Sequence, residues 1–292
     1  MSDIRKRAVV ITGVSSGIGA ACVDKLIASG FFVFGSVRRE EDAARLQTQF
    51  GSDFMPLVFD IKDCDMILRA AQIVQSHLDG AGLAGLVNNA GMAVSGPLLY
   101  LPIADFREQL AVNLTGQLQV VQAFAPLLGA RPHMPLNQAG RIIMMSSVAG
   151  RFATPFLGAY HASKFGLEGL SDALRRELIA FGVDVIVIEP GMIATPIWDK
   201  ADMADYSAYD ETVYAAAIGA LRRWAVEKGR AAPAAEKVAG AVLRALTSRH
   251  PPKRISVVKN WVLDYFLPPL LPTMLADYLV ARQLGLYDIQ KN

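Results

Sequence analysis

The sequence predicts a doubly wound α/β fold built on one parallel sheet, and three observations carry that prediction. Short β-branched or aromatic runs alternate with longer helical patterns as far as residue 191. The strand runs are apolar at nearly every position, as strands covered on both faces must be. A glycine-rich turn joins the first strand to the first helix.

The elements follow in order. "RAVVIT" leads into a helix over 17–29, and "FFVFGSV" into the charged helix "REEDAARLQTQF". "FMPLVFD" precedes a helix through "MILRAAQIVQSHL", and "LAGLVNN" precedes a long helix over 103–128. "RIIMMS" is followed by a helix over 158–181, and "VDVIVIEP" closes the alternation. After a helical excursion at 195–230, the helix "AAEKVAGAVLRALTS" and the strand "RISVV" complete seven strands. Alternation of this kind implies right-handed crossovers and a three-layer sandwich with a seven-stranded parallel sheet. With no Gly/Ser linker and no repeat, residues 1–292 are expected to form one domain, elaborated at 195–230 and carrying a tail at 260–292.

Composition narrows the function. Of 292 residues, 52% are apolar and 19% charged, which excludes a disordered chain. A net charge of +2 gives no nucleic-acid signature, and the basic run from Arg5 to Arg7 is too short to supply one. No apolar run reaches the roughly 18–20 residues of a membrane span. Cys22 and Cys64 lack metal-ligand spacing and are expected to be packing residues in a reducing, cytoplasmic setting. His77, His133 and His250 are expected to stand without partners, and no metal site is expected.

"VVITGVSSGIGAACVDKLIASG" places Gly13, Gly17 and Gly19 between strand and helix. Gly13 allows a sharp turn, Gly17 lets backbone approach a pyrophosphate on the helix N-terminus, and Gly19 lets the helix pack close to the sheet. The spacing is G-x-x-x-G-x-G rather than G-x-G-x-x-G. Further motifs follow in order: "NNAG" at 88–91, Asn113 in "VNLTG", Ser147, Tyr160 with Lys164 four residues on, and "EPGMIAT" at 189–195.

Over residues 7–258 this set resembles the short-chain dehydrogenase/reductase family, whose fold is the Rossmann type. The resemblance implies NAD(P) binding by Gly13, Ser15, Ser16, Gly17, Ile18, Gly19, Arg38, Asp60, Ile61, Asn89, Ala90, Gly91, Tyr160, Lys164, Pro190, Gly191, Ile193 and Thr195. It also implies a homodimer or homotetramer paired through the helices at 103–128 and 158–181. At the end of the second strand, "FGSVRRE" has Val37 where an acidic residue would accept from a ribose 2′-hydroxyl. Arg38 offers a charge-assisted contact to a 2′-phosphate instead, so NADP(H) is expected ahead of NAD(H). The bland alternative has Arg38 and Arg39 pairing with Glu40, Glu41 and Asp42. Asp60 matches the family position that holds the adenine amino group, or else caps the next helix.

The spacing of Tyr160 and Lys164 puts both on one helical face. A phenol with a pKa near ~10 is a poor base at neutral pH. A neighbouring ammonium and an oxidised nicotinamide would favour the phenolate. Tyr160 is then the expected acid/base for alcohol–ketone interconversion, with Ser147 donating to the reacting oxygen. By resemblance, Asn113 fixes a water leading to Lys164, and Lys164 also holds the nicotinamide ribose. His161 turns about 100° away from this face and is expected to be a packed bystander.

The residues expected around the reacting carbon are apolar: Met92, Val94, Phe152, Phe156, Leu157, Met192 and Trp198. Tyr206, Tyr209 and Tyr214 are expected to help close a lid. A bulky steroid-, retinoid- or aryl-ketone-type substrate is therefore expected, as in the hydroxysteroid and retinol dehydrogenase branch that the apolar tail resembles in outline. The tail's Pro268, Pro269 and Pro272 exclude one long helix. It is expected to cover the site, pack on another subunit or rest weakly on a membrane surface. The alternatives are a 3-oxoacyl reductase, a non-catalytic nucleotide sensor or scaffold, and an epimerase, which would need a larger C-terminal domain. The insertion at 129–140 is expected to be a surface loop.

Overall fold

A computed structural model of the protein describes residues 7–132 and 139–289, so Arg5, His133 and part of the 129–140 insertion lie outside the described residues. Seven strands form one parallel sheet in the order β3-β2-β1-β4-β5-β6-β7. They are β1 (Ala8–Ile11), β2 (Phe32–Val37), β3 (Phe54–Val58), β4 (Gly85–Asn88), β5 (Arg141–Met145), β6 (Asp184–Pro190) and β7 (Arg254–Val257). Each falls inside its expected run. The order reverses between β1 and β4, so their carboxyl ends open a crevice where nucleotides bind in sheets of this kind.

Alternation along β1 shows why both faces are apolar. Val9 and Ile11 pack with Cys22, Leu26, Leu46, Val238 and Val242, from α1 (Gly17–Ala28), α2 (Glu40–Phe50) and α9 (Ala235–Thr247). Ala8 and Val10 face the other way, toward Ile67, Val74, Val120, Phe124 and Leu167. Those come from α3 (Cys64–Leu78), α5 (Gly116–Phe124) and α6 (Gly158–Glu177).

The helix expected over 103–128 is continuous but not uniform. It runs through α4 (Ile103–Leu110), a π-helical turn at Ala111–Thr115, α5, and a 3₁₀ turn at Ala125–Leu128. The wider π turn carries Asn113, and such turns gather at functional positions. The excursion forms α7 (Ile197–Met203), a 3₁₀ turn at Ser207–Tyr209 and α8 (Ala215–Arg230). Phe156, Tyr209, Ala217 and Ile218 make a small core there, apart from the two sheet cores.

The tail breaks at its prolines, as expected, and α10 (Thr273–Gln283) is its one α-helix. It leaves Trp261, Leu263, Leu270 and Met274 exposed, and no helix among the described residues is long and apolar enough to cross a membrane. Tyr265 pins its start by donating to Glu189 Oε2 at 2.7 Å, while Arg151 lies over the Tyr265 ring at 4.8 Å.

Two expectations need correction, and one alternative reading, the Asp60 cap, falls. Cys22 is packed, with burial pushing its thiol up to about 12, but Cys64 is exposed at the start of α3. His77 has partners: its ring stacks on Phe32 at 5.3 Å and meets Phe34 edge-on at 5.6 Å. The cap of α3 is Asp63, which accepts from the Met66 amide; Asp60 accepts from Lys62 N at 2.9 Å instead.

Candidate active site

The crevice is shaped by hydrogen bonds between the glycine turn and "NNAG". Thr12 Oγ1 accepts from the amides of Asn89 and Ala90, both at 2.9 Å. Asn89 Nδ2 returns bonds to the carbonyls of Thr12 (2.9 Å) and Gly13 (3.1 Å), and Ser36 Oγ accepts from Gly13 N at 3.0 Å. Gly13 has φ +71°, and a Cβ there would lie 2.9 Å from Ala90 Cα. A side chain at Gly19 would overlap the Gly13 carbonyl oxygen. Both glycines are thus required by backbone meeting backbone.

The start of α1 is open to a ligand. Ser16 stands at the N-cap without a side-chain capping bond, Ser15 and Ser16 are exposed, and Ile18 is half-buried. Gly17 faces Thr195 across the gap, with 3.5 Å to the threonine methyl from an ideal Cβ position. This uncapped set of amides suits a pyrophosphate. Arg38 is exposed and enters no ion pair among the described residues, whereas Arg39 pairs with Asp42 at 3.2 Å. Asp60 and Lys62 border a depression of about 440 Å³, and Ile61 beside them is buried.

The groups expected to react gather where β5, β6 and α6 meet. Ser147 caps a 3₁₀ turn at Val148–Gly150, accepting from Ala149 N at 3.1 Å and donating to Pro190 O at 3.3 Å. Its hydroxyl is near enough to the Tyr160 phenol to favour the phenolate. Lys164 is buried, donates to Met145 O at 2.8 Å and lies 5.7 Å from the Tyr160 ring centroid. Burial pushes the Lys164 ammonium down to about 8, against the nearby charge of Glu168. Burial pushes the Tyr160 phenol up, and Ser147 opposes that. Protein groups alone therefore do not produce the lowered phenol expected from the spacing; in that argument the nicotinamide cation is an essential part.

Asn113, also buried, bonds both ways to Met92: its Oδ1 accepts from Met92 N and its Nδ2 donates to Met92 O, each at 2.9 Å. The Nδ2 also reaches Ser163 Oγ at 3.1 Å. Gln109 repeats the device at Val94 N (2.7 Å) and Met92 O (2.9 Å). These side chains fix the strand-like path after Gly91, where a Cβ would meet Asn113 Oδ1 at 3.3 Å.

Of the expected substrate-facing residues, Met92, Val94, Phe152, Leu157 and Met192 are half-buried. Phe156 has φ +67° and packs into the small core, 5.6 Å from the Tyr214 ring. Trp198 donates to Ile193 O at 2.7 Å and packs its indole on Gly229 of α8. Gly191 bonds through its amide to Val257 O at 3.0 Å, and the Ile193 side chain joins the sheet core.

His161 is packed, as expected, and none of its hydrogen bonds goes to Tyr160 or Lys164, although its ring meets the Tyr160 ring edge-on at 6.3 Å. Its ring nevertheless bonds to Ala149 O (2.8 Å) and to Thr154 N (2.9 Å). Sequence reasoning missed these roles, and those of Thr12, Ser36, Gln109, Gln117 and Arg45. Gln117 reaches Ala90 O, and Arg45 donates to Ser15 O at 3.1 Å. Their partners are mostly backbone atoms, which leave no side-chain spacing to read. No cluster of metal-ligating side chains occurs among the described residues.

Comparisons with known proteins agree with this geometry. The family model described as short chain dehydrogenase matches residues 7–205. The chain is 37% identical over 278 residues to the NADPH-dependent 3-dehydrocapnine reductase of Ornithobacterium rhinotracheale, covering 95% of this chain and 97% of that protein. It is 33% identical to retinol dehydrogenase 16 of Mus musculus, over 96% of this chain and 89% of the other. With 17-beta-hydroxysteroid dehydrogenase type 6 of Homo sapiens the identity is 32%, over 97% and 90%. Among solved structures, a short-chain dehydrogenase from Streptomyces avermitilis superposes with a TM-score of 0.73 at 24% identity, covering 98% of this chain and 96% of that one.

Proposed function

The chain belongs to the short-chain dehydrogenase family and is an oxidoreductase that uses a nicotinamide cofactor; from that premise we propose that it interconverts a bulky lipophilic secondary alcohol and its ketone, preferring NADP(H) to NAD(H). The observation that carries this reading is the Tyr160 phenol, close enough to Ser147 for that hydroxyl to favour the phenolate and one helical turn before the buried Lys164. The expected pocket residues around it are apolar, and the small core of the excursion sets Tyr209 and Tyr214 beside Phe156. We call that excursion a lid on the same reading.

When bound, the nicotinamide supplies or removes the hydride at the substrate carbon. Ser15, Ser16, Gly17 and Thr195 would hold its pyrophosphate, Asp60 and Ile61 the adenine, and Arg38 the 2′-phosphate. Asn89, Ala90, Gly91, Pro190, Gly191 and Ile193 would line its nicotinamide end. In the reducing direction Tyr160 gives its proton to the ketone oxygen, and Ser147 turns its hydroxyl from Pro190 O to the same oxygen. The long 3.3 Å bond to Pro190 makes that turn inexpensive. Lys164 stabilises the resulting phenolate, and a group held near 8 can return the proton at neutral pH. Oxidation runs the same proton path backwards.

NADP(H) preference is supported by the unpaired Arg38 and by the relative named for NADPH dependence. A homologous ketone ladder, assayed with NADPH and with NADH, tests the proposal. Each buried CH₂ contributes about 0.8 kcal/mol, so kcat/KM should climb until the pocket is full. A charge-assisted bond from Arg38 is worth about 1.5–3 kcal/mol, so NADPH should bind at least about tenfold more tightly than NADH. Tyr160→Phe should keep that affinity and lose turnover. A flat ladder with better activity on small polar carbonyls would sink the substrate reading, and an active Tyr160→Phe would sink the mechanism.

A further inference from the structure

His161 bridges two points on the segment between Ser147 and Tyr160. Its ring is 5% exposed, and both nitrogens are used. Thr154 N can only donate, so the Nε2 facing it at 2.9 Å must accept; the Thr154 hydroxyl lies at 3.0 Å from the same nitrogen. The ring proton is therefore on Nδ1 and goes to Ala149 O at 2.8 Å.

Ala149 is the key neighbour. Its carbonyl is held by His161, and its own N–H donates to Ser147 Oγ at 3.1 Å. At the other end of the segment, Phe156 O accepts from Gly96 N at 2.8 Å, and the Phe156 ring packs against the lid residue Tyr214. The imidazole thus sits between the helix that carries Tyr160 and the turn that carries Ser147.

We propose that His161 is a positioning residue: as a neutral, Nδ1-protonated ring it ties residues 149–154 to α6 and so sets the Ser147 hydroxyl against the Tyr160 phenol. The role rests on the proposed redox chemistry only for its kinetic consequence. A protonated ring would set its Nε2–H against the Thr154 N–H and lose that bond, leaving only the Thr154 hydroxyl to accept from it. Burial already holds the imidazole below its ordinary value, so the bond from Thr154 N is in place at neutral pH and is lost as pH falls through that lowered value, which loosens the tie. Arg151, Tyr160 and Lys164 are the ionisable groups on the two joined segments within one turn of the contact; the Tyr160 ring meets the imidazole edge-on at 6.3 Å, and none of the three hydrogen bonds to it.

The test uses the full chain and three readouts. In ¹⁵N-histidine-labelled protein, one of the four imidazoles, absent from His161→Phe, should be the Nδ1–H tautomer and stay neutral at pH values where a free ring titrates. His161→Phe fills the volume without the bonds. In it, Tyr160 should titrate higher, read as the spectral difference from the double variant with Tyr160→Phe. On the best ketone, kcat should drop by about thirty- to a hundredfold with NADPH affinity unchanged, and His161→Gln should recover part of it. An Nε2–H tautomer, or a His161→Phe variant with Tyr160 titration and kcat within threefold of wild type, would overturn the proposal. The first two readouts need no substrate, so they stand even if the redox assignment fails.

Discussion

The nucleotide crevice and the lid are built on opposite principles. Around the crevice, buried and half-buried polar side chains meet backbone: Thr12 serves two amides, Asn89 two carbonyls, Asn113 both groups of Met92. Such bonds are directional, and a buried donor left alone costs about 1–3 kcal/mol. Few residue types can replace them. The lid is held by aromatic packing around Phe156 and Tyr209, and by surface ion pairs from Arg230 to Asp199 and Asp202, each at 2.9 Å. Solvent screens exposed pairs of this kind, so they add little. Packing of that kind tolerates exchange of one apolar residue for another. Fixed chemistry and adjustable substrate choice follow from this division.

The largest test of the contrast is Gly19→Ala. The new methyl would enter the Gly13 carbonyl and crowd Asn89 Nδ2 at 2.7 Å, both parts of the crevice itself. Strain of this kind costs about 3 kcal/mol or more where backbone must move. Urea denaturation should show that loss, and calorimetric titration should show no NADPH binding. A variant that binds nucleotide normally would mean the crevice is far more pliant than its hydrogen bonds imply.

That same contrast explains what was legible in the sequence. All seven strands are readable because a buried parallel sheet demands unbroken apolar runs, and the glycines because positive φ and close contact demand them. The π turn at 111–115 was not readable, since nothing in "AVNLT" departs from ordinary helix; only the tie from Asn113 to Met92 reveals it. That His161 forms no hydrogen bond to Tyr160 or Lys164 followed from helix periodicity, whereas its partners lie on a loop whose path periodicity does not describe. Asp60 and Asp63 compete for one cap in "DIKD", and the fold chooses the later residue.

Between the two regions stands Lys164, where the proposed function opposes stability. Its ammonium is buried and depressed from 10.5 to about 8, a cost of roughly 3 kcal/mol for the charged form. Lys164→Met removes that cost and forfeits the bond to Met145 O. Replacing it should therefore stabilise the fold by about 1–2 kcal/mol at pH 7 while abolishing turnover. Between pH 8 and 10.5 the unfolded wild-type chain holds more protons than the folded one, so wild-type stability rises there relative to the variant. The advantage of Lys164→Met should shrink across that interval in urea titrations. An advantage that stays constant with pH would place its origin elsewhere.

The smallest effect on the fold, and the sharpest probe of the lid, is Gly229→Ala. Here too the added methyl finds no room, but what it meets is the indole of Trp198 rather than backbone. Trp198 is half-buried on α7, tied by its Nε1 to Ile193 O, and α7 and α8 form a layer apart from both sheet cores. The overlap should therefore be relieved by displacing α7 from α8, at a cost of about 1–3 kcal/mol confined to the lid. Global unfolding in urea should shift by less than that, since the sheet cores are untouched. Hydrogen exchange should quicken across residues 197–230 and stay unchanged in β1, β4 and β5. On the proposed reading, KM for the longest ketones should rise several-fold while NADPH affinity holds. Loss of nucleotide binding in Gly229→Ala would show that lid and crevice are one mechanical unit, and the distinction between them would fail.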